Sequence, residues 1–209
     1  MGGGVITSYS STLLKSYGFT PPIAALLNTP AGLINITVTL AGGAAARYFG
    51  GRWIWLCLIL ALSVLGAALL AWMPKGNRSG ALAGVYLVNC IVGAAPLSWQ
   101  WIMSNTAGHT KRAFVAAMMN LSFGIGNIVG PLTFQAKEAP GYHTAKLALM
   151  CCWAVTLPIT IGLRVYYGVV NTKRDKAVGT LVGSEEDVSA AKGFAGLTDK
   201  QNKDFRYTY

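Results

Sequence analysis

The sequence predicts an all-α membrane protein, and three observations lead to that class. Hydrophobic residues make up 53% of the chain and charged residues only 11%, against about 25% charged in soluble domains. The apolar residues form long runs nearly free of charge, each long enough for the roughly 20 residues that a helix needs to cross a bilayer. Basic residues lie singly or in pairs at the ends of these runs. Because backbone amides in a bilayer must be paired within their own segment, the runs are expected to be helices.

Six helical segments are expected in order. The first, over residues 1–14, spans only about 21 Å at 1.5 Å per residue, so we interpret it as the truncated end of a transmembrane helix. It also lacks the basic and apolar regions of a signal peptide. The five complete spans are predicted at 22–46, 53–73, 80–104, 112–134 and 145–169. Together they form a predicted membrane bundle over 1–170, followed by a polar, flexible tail over 171–209.

The distribution of Lys and Arg predicts the orientation. One alternate set of connections carries five of them, namely Lys15, Lys75, Arg78, Lys137 and Lys146. The other set carries seven, namely Arg47, Arg52, Lys111, Arg112, Lys173, Arg174 and Lys176. Since cytoplasmic loops are richer in basic residues, the second set and the tail are predicted to be cytoplasmic.

Several function classes are disfavoured by the same residues. The net charge is +10, but the basic residues form no continuous face for nucleic acid. The four cysteines, Cys57, Cys90, Cys151 and Cys152, lie in predicted spans without CxxC or Cys/His metal spacing, so we expect small buried side chains and no metal or other cofactor. No carboxylate pair or activated nucleophile is apparent, which argues against an enzyme.

Polar and small residues recur at helical spacing along three spans, in steps of three and four residues that place them on one helix face. The first span carries Asn28, Gly32, Asn35, Thr39 and Gly42, the third Asn89, Gly93, Pro96, Gln100 and Ser104, and the fourth Asn120, Gly124, Asn127 and Pro131. The second and fifth spans have little of this kind. Because polar residues in membrane helices face protein or water, the striped helices are expected to line a cavity or interface and the other two to face lipid.

The stripes have a second interpretation, which is helix packing alone. Small residues let helices approach closely, and Gly80 with Gly84, like Gly126 with Gly130, has the GxxxG spacing of such contacts. Prolines inside the spans suit a gated cavity but are also ordinary in membrane helices. No Asp or Glu lies inside a predicted span, so this chain offers no carboxylate as a proton carrier.

Four segments carry a family likeness: GHTKR at 108–112, GNIVGP at 126–131, EAPGY at 138–142 and LTDKQNKDFRY at 197–207. In this order they resemble the fungal allantoate permease family, the anion:cation symporter branch of the major facilitator superfamily. The resemblance implies a twelve-helix transporter of which this chain is the C-terminal six-helix half, from the end of the seventh helix. It also places RYFGGR at 47–52 in the cytoplasmic connection between the eighth and ninth helices.

The resemblance implies proton-coupled uptake of a small organic anion, vitamin or ureide by alternating access, with substrate bound between two halves. It places the protein in the plasma membrane, with an endomembrane as the alternative. The candidate substrate-facing residues are Tyr9, Asn35, Asn89, Trp99, Gln100, Trp101, Asn120 and Asn127, with Trp99 and Trp101 as an aromatic wall. The candidate gating residues in cytoplasmic connections are Arg47, Gly51, Arg52, Lys111 and Arg112. Without the N-terminal half, the chain is expected to be inactive alone. An alternative is a non-transporting module that pairs with full-length transporters in the lipid bilayer.

Overall fold

Helices make up the regular structure of the computed structural model, which describes Leu14 and residues 20–72, 77–133, 142–179, 198–199, 201–202 and 205–209. The α-helices are α1 (Pro21–Tyr48), α2 (Arg52–Trp72), α3 (Arg78–Asn89), α4 (Ala94–Ser104), α5 (His109–Leu132) and α6 (His143–Gly179). A 3₁₀ segment, Cys90–Gly93, joins α3 to α4. No strand occurs in these ranges, which confirms the all-α prediction.

Within the described residues, five helices are long and apolar enough to cross a membrane, when α3, the 3₁₀ segment and α4 are taken as one span. Each begins within three residues of a predicted start. The partial helix expected over 1–14 lies outside the described residues except for Leu14, which is helical and buried. The chain therefore presents five apolar helices in the order that the charge pattern predicts.

The span from Arg78 to Ser104 is interrupted where Pro96 follows the 3₁₀ segment. Proline has no amide hydrogen to donate to the carbonyl four residues earlier, and its ring crowds that carbonyl. A tighter 3₁₀ turn next to it is a common way to accommodate this loss. The 3₁₀ segment also meets α1 closely, because a Cβ built on Gly93 would lie 2.8 Å from Cγ1 of Val38.

Helix α2 lies at the centre of the described bundle. Its buried face packs mainly against α3 and α6 and consists of Leu56, Ile59, Leu60, Ser63, Gly66, Ala67, Leu70 and Ala71. Its opposite face exposes Ile54, Leu58, Leu62 and Leu65. The expectation that this helix faces lipid is therefore wrong for one of its two sides. Both sides are apolar, so the polar pattern did not distinguish core from lipid.

The striped helices α1 and α5 are the least covered. Helix α1 buries only Ala24, Ala31, Gly42 and Ala46, and α5 buries only Gly126 and Gly130. Helix α5 packs mainly against α4. Large faces of both helices are therefore left open by the described part of this chain.

The predicted flexible tail from residue 171 is corrected by the structure in two places. Helix α6 continues to Gly179, about ten residues past the expected end. Residues 205–209 lie against the bundle, with Tyr207 only 6% exposed. The polar composition of this region misled the prediction, because its aromatic residues find partners on the helix ends.

Candidate functional site

Helix α1 carries two asparagines whose side-chain oxygens have no hydrogen-bond donor among the described residues. Asn28 and Asn35 are half-buried, and Oδ1 of each is itself buried. They lie seven residues apart and therefore on one face of the helix. An unpaired buried acceptor is costly unless something donates to it. The candidate Asn35 thus has a free acceptor for a ligand or for another part of a larger protein.

Helices α4 and α5 meet through aromatic rings. Trp99 of α4 makes an edge-to-face contact with Phe123 of α5, with 6.0 Å between centroids. Gln100 is exposed beside it, and Asn120 is exposed with its amide donating to the Ala116 carbonyl at 3.0 Å. Asn127, two turns along α5, is half-buried. Gln100 and Asn120 are therefore accessible, and Asn127 is partly accessible.

Two other candidate residues are buried and form hydrogen bonds within the protein. Asn89 is buried, and its Nδ2 donates to the Val85 carbonyl at 2.8 Å. Trp101 is 3% exposed, and its Nε1 donates to the Thr208 carbonyl at 2.9 Å. Its ring also meets Tyr167 of α6 edge to face. Residues two apart on a helix point in nearly opposite directions, so Trp99 and Trp101 do not form the expected aromatic wall. Tyr9 lies outside the described residues.

The connection from α1 to α2 depends on two glycines. Gly50 and Gly51 have φ of 68° and 59°, a left-handed backbone that favours glycine. The turn brings Arg52 to the start of α2, where its Nη1 donates to Oγ of Ser104 at 2.6 Å and to Oγ1 of Thr208 at 3.5 Å. The candidate gating residue Arg47 is exposed on the other side of the turn.

The connection from α4 to α5 holds the other two basic candidates. The Arg112 guanidinium donates through Nε and Nη2 to the Thr106 carbonyl, at 3.3 and 3.2 Å. Lys111 forms an ion pair with Asp199. Arg52 and Lys111, which belong to different connections, therefore both contact the end of the chain. Arg52, Lys111 and the described part of the tail therefore lie at one end of the bundle.

The final residues, 205–209, are held by side chains from the helix ends. Asn105 exchanges two hydrogen bonds with the Thr208 backbone, at 2.7 and 3.0 Å. Asn171 does the same with the Tyr207 backbone, at 2.9 and 2.8 Å. The Tyr207 ring stacks on Tyr167 with 4.7 Å between centroids. We name these five residues the terminal segment.

Cations of α6 complete the contact with the terminal segment. The Arg164 guanidinium lies 3.6 Å from the centroid of the Tyr209 ring. Arg174 donates to the carbonyls of Phe205 and Asp199 and lies 5.0 Å from the Tyr207 ring. A cation over an aromatic face is attracted by the negative face of the ring. The positive charges of Arg164 and Arg174 are therefore stabilised in part by aromatic rings of the terminal segment.

Asp199 and Tyr207 form a titratable pair beside this segment. Burial by itself would raise the pKa of Asp199, but hydrogen bonds from Lys111 and Tyr207 and the charge of Lys111 outweigh it and lower that pKa. Burial, together with the bond to Asp199 and its charge, raises the pKa of Tyr207 to about 12. At neutral pH a carboxylate therefore accepts from an ammonium and a phenol.

Reasoning from the sequence missed the residues that hold the terminal segment, chiefly Asn105, Asn171 and Arg174. One signal was present. Phe205, Tyr207 and Tyr209 alternate in an otherwise polar stretch, and such alternation is typical of a segment with one buried side. Metal chemistry finds no support in the described residues, which contain no group of three His, Cys, Asp or Glu able to hold an ion.

Known proteins similar to this chain are transporters. The chain is 27% identical to the MFS-type transporter cnsL of Penicillium expansum, 29% to the allantoate permease of Saccharomyces cerevisiae and 30% to the thiamine pathway transporter THI73 of the same yeast. The matches cover 98%, 98% and 99% of this chain. The chain is homologous to major facilitator transporters. With five apolar helices in the part of the chain that the structure describes, it is an integral multi-pass membrane protein.

Coverage of the relatives is partial. The three matches cover 42%, 39% and 38% of the relatives' own lengths, so the chain spans about two fifths of each. No family model matches the sequence, and no solved structure gives a significant match. The relatives are named as transporters and not as enzymes, in agreement with the lack of a catalytic arrangement in the sequence.

Proposed function

We propose that this chain is the C-terminal six-helix half of a transporter in the allantoate permease branch, and that the whole protein moves a small organic solute by alternating access. The observation that carries the proposal is the exposure of α1 and α5, together with the side-chain amides of Gln100 and Asn120, which are exposed, and of Asn35 and Asn127, which are half-buried. Transporters of this kind bind substrate at the interface between their repeats. An uncovered polar side fits such an interface.

The chemistry of this side suits a small anion, vitamin or ureide. Side-chain amides supply both donors and acceptors, and the buried Oδ1 of Asn35, which has no donor among the described residues, is an acceptor for the N–H group of a solute or of a neighbouring helix. Trp99 and Phe123 add an apolar surface for a flat solute. The names of two relatives, an allantoate permease and a thiamine pathway transporter, agree with nitrogen-rich solutes of this size.

Proton coupling is proposed to use groups elsewhere in the full-length protein. Helices α1 to α5 carry no Asp or Glu, and carboxylates are the usual proton carriers inside membranes. The end of the bundle that holds Arg52, Lys111 and the terminal segment is proposed to be cytoplasmic, in the plasma membrane. Arg47, Gly51, Arg52, Lys111 and Arg112 would then belong to the cytoplasmic gate.

Uptake assays on the full-length gene test this proposal. Cells that lack their own carrier would be supplied with labelled allantoate, thiamine and related carboxylates. Gln100→Ala and Asn127→Ala are expected to reduce uptake of the transported solute at least about fivefold, equivalent to one lost hydrogen bond of about 1 kcal/mol, at unchanged surface level. Ser122→Ala is the matched control, since its hydroxyl donates within α5 to the Met118 carbonyl. Wild-type uptake by both variants would overturn the assignment of this side.

A further inference from the structure

The terminal segment is bound by two asparagines that lie at the ends of two different helices. Asn105 follows the end of α4, and Asn171 lies near the end of α6. Each offers its Oδ1 to an amide and its Nδ2 to a carbonyl of one residue, Thr208 and Tyr207 respectively. Two consecutive residues are thus held through their backbone, and the segment bridges α4 and α6.

Side chains of the segment add the specificity that backbone contacts lack. Tyr207 stacks on Tyr167, and Tyr209 lies under Arg164 while its hydroxyl accepts from Asn171 at 2.9 Å. The backbone amide of Arg52 donates to the Tyr209 carbonyl at 3.1 Å. The start of α2 is therefore a third attachment point.

Asp199 extends this bridge to α5. Its two carboxylate oxygens accept from Lys111 of α5 and from Tyr207 of the terminal segment, the latter at 2.7 Å. Its own carbonyl accepts from Arg174 of α6 at 2.7 Å. Because α5 otherwise packs mainly against α4, this carboxylate ties the Lys111 end of α5 to α6 through the segment.

We propose that the terminal segment is a releasable clasp. Asn105 and Asn171 bind its backbone, and Asp199 couples its binding to the Lys111 end of α5. The contacts are hydrogen bonds and ring contacts at the ends of the helices, and those described with α2 are made by Arg52 at its start, away from its buried face. Release of the segment is therefore a local opening that leaves the helix bundle folded. The inference concerns the contacts within the chain and does not depend on a transported solute.

Hydrogen–deuterium exchange of the full chain in detergent micelles tests the clasp. The amides of Tyr207 and Thr208, which donate to the two asparagines, are expected to exchange measurably slower than in an unstructured peptide but faster than the α2 amides. Asn171→Ala is expected to speed exchange at both amides on the order of tenfold, because two backbone bonds are lost. Thr172→Ala is the matched control, since its hydroxyl donates only within α6, to the Gly168 carbonyl.

A second variant tests the coupling to α5. Asp199→Asn removes the ion pair and is expected to speed exchange of the amides of residues 113–116, while those of α2 stay unchanged and so report an intact fold. Asn105→Ala should reproduce the effect of Asn171→Ala at Tyr207 and Thr208. Three results would overturn the clasp. The amides of Tyr207 and Thr208 could exchange as fast as in an unstructured peptide, or they could exchange at the same rate as the α2 amides. Asp199→Asn could also leave the exchange of residues 113–116 unchanged.

Discussion

Gly66 of α2 lies against Gly84 of α3. A Cβ built on Gly66 would lie 3.0 Å from the carbonyl oxygen of Gly84 and 2.6 Å from the backbone nitrogen of Val88. The backbones of the two helices therefore approach closely at this point, as small residues allow in membrane helix pairs. Gly84 belongs to the GxxxG pattern expected to serve packing, and its close partner is a glycine outside any such pattern.

Gly66→Ala is expected to destabilise the bundle by roughly 1–3 kcal/mol, because backbone atoms of α3 cannot move aside as a flexible side chain can. The midpoint of thermal unfolding in detergent, followed by size-exclusion chromatography, measures the loss. Gly162→Ala is the control, since nothing lies within 4 Å of a Cβ at that position of α6. An equal midpoint for the two variants would contradict the close crossing.

Asn77→Ala is expected to lower stability by about 1 kcal/mol, because its side chain caps α3 by accepting from the Gly80 amide at 3.0 Å. Asn77 also begins Asn77-Arg78-Ser79, an Asn-X-Ser sequence that can accept an N-linked glycan. Asn77→Ser removes this sequence but keeps a capping oxygen. Unfolding of both variants, produced in a bacterial host without glycosylation, measures the cap alone. If Ser destabilises as much as Ala, the cap is not the cause.

Tyr207 is expected to titrate near pH 12, well after an ordinary tyrosine. Its raised pKa means that docking is fully stabilised by the neutral phenol below about pH 10 and loses this stabilisation as the pH rises through about 12. The tyrosinate absorbance near 295 nm, taken as the difference between wild type and Tyr207→Phe, reports this group. In Asp199→Asn the same difference should move towards the ordinary value, since the anionic acceptor is gone. A midpoint unaffected by that substitution would argue against the pair.

Binding of the terminal segment to the bundle is expected to weaken only below about pH 4. The pKa of Asp199 is lowered in the folded chain, so its contribution is present above the ordinary Asp pKa of about 3.9 and is lost as the pH falls through the lowered value. The fluorescence difference between wild type and Trp101→Phe follows the indole bonded to Thr208 and should be constant from pH 8 to about pH 4. The same difference for Trp99→Phe controls for acid effects on the bundle. A change near pH 6 in the first difference alone would point to another group.

Much of the helical architecture could be predicted from the residues, and the reason is the bilayer. A charge inside a span is costly, so Lys and Arg lie within two residues of the first residue of α2 and of α5. The same rule does not predict which apolar face of a helix packs against other helices and which faces lipid. Helix α2, apolar on both sides, was assigned to lipid although one side forms the core against α3 and α6.

The candidate site divides in the same way. Gln100 and Asn120, predicted from helical spacing, are exposed in the structure, and Asn127 is half-buried. Asn89 and Trp101 share a helix with such residues but are buried by long-range contacts. The partner of Trp101 is Thr208, 107 residues away, and no periodicity within a helix reports a contact of that separation. Polar composition likewise concealed the aromatic anchors of the terminal segment.

The length of α6 has a consequence for the space beyond the membrane surface. Its 37 residues extend about 55 Å at 1.5 Å per residue, whereas the hydrocarbon layer is about 30 Å thick. More than four helical turns in total must therefore lie outside the hydrocarbon layer, divided between the two ends of the helix. Asn171 and Arg174, near its C-terminal end, hold the terminal segment. The position of that segment along the membrane normal is thus fixed by a continuous helix and not by a loop.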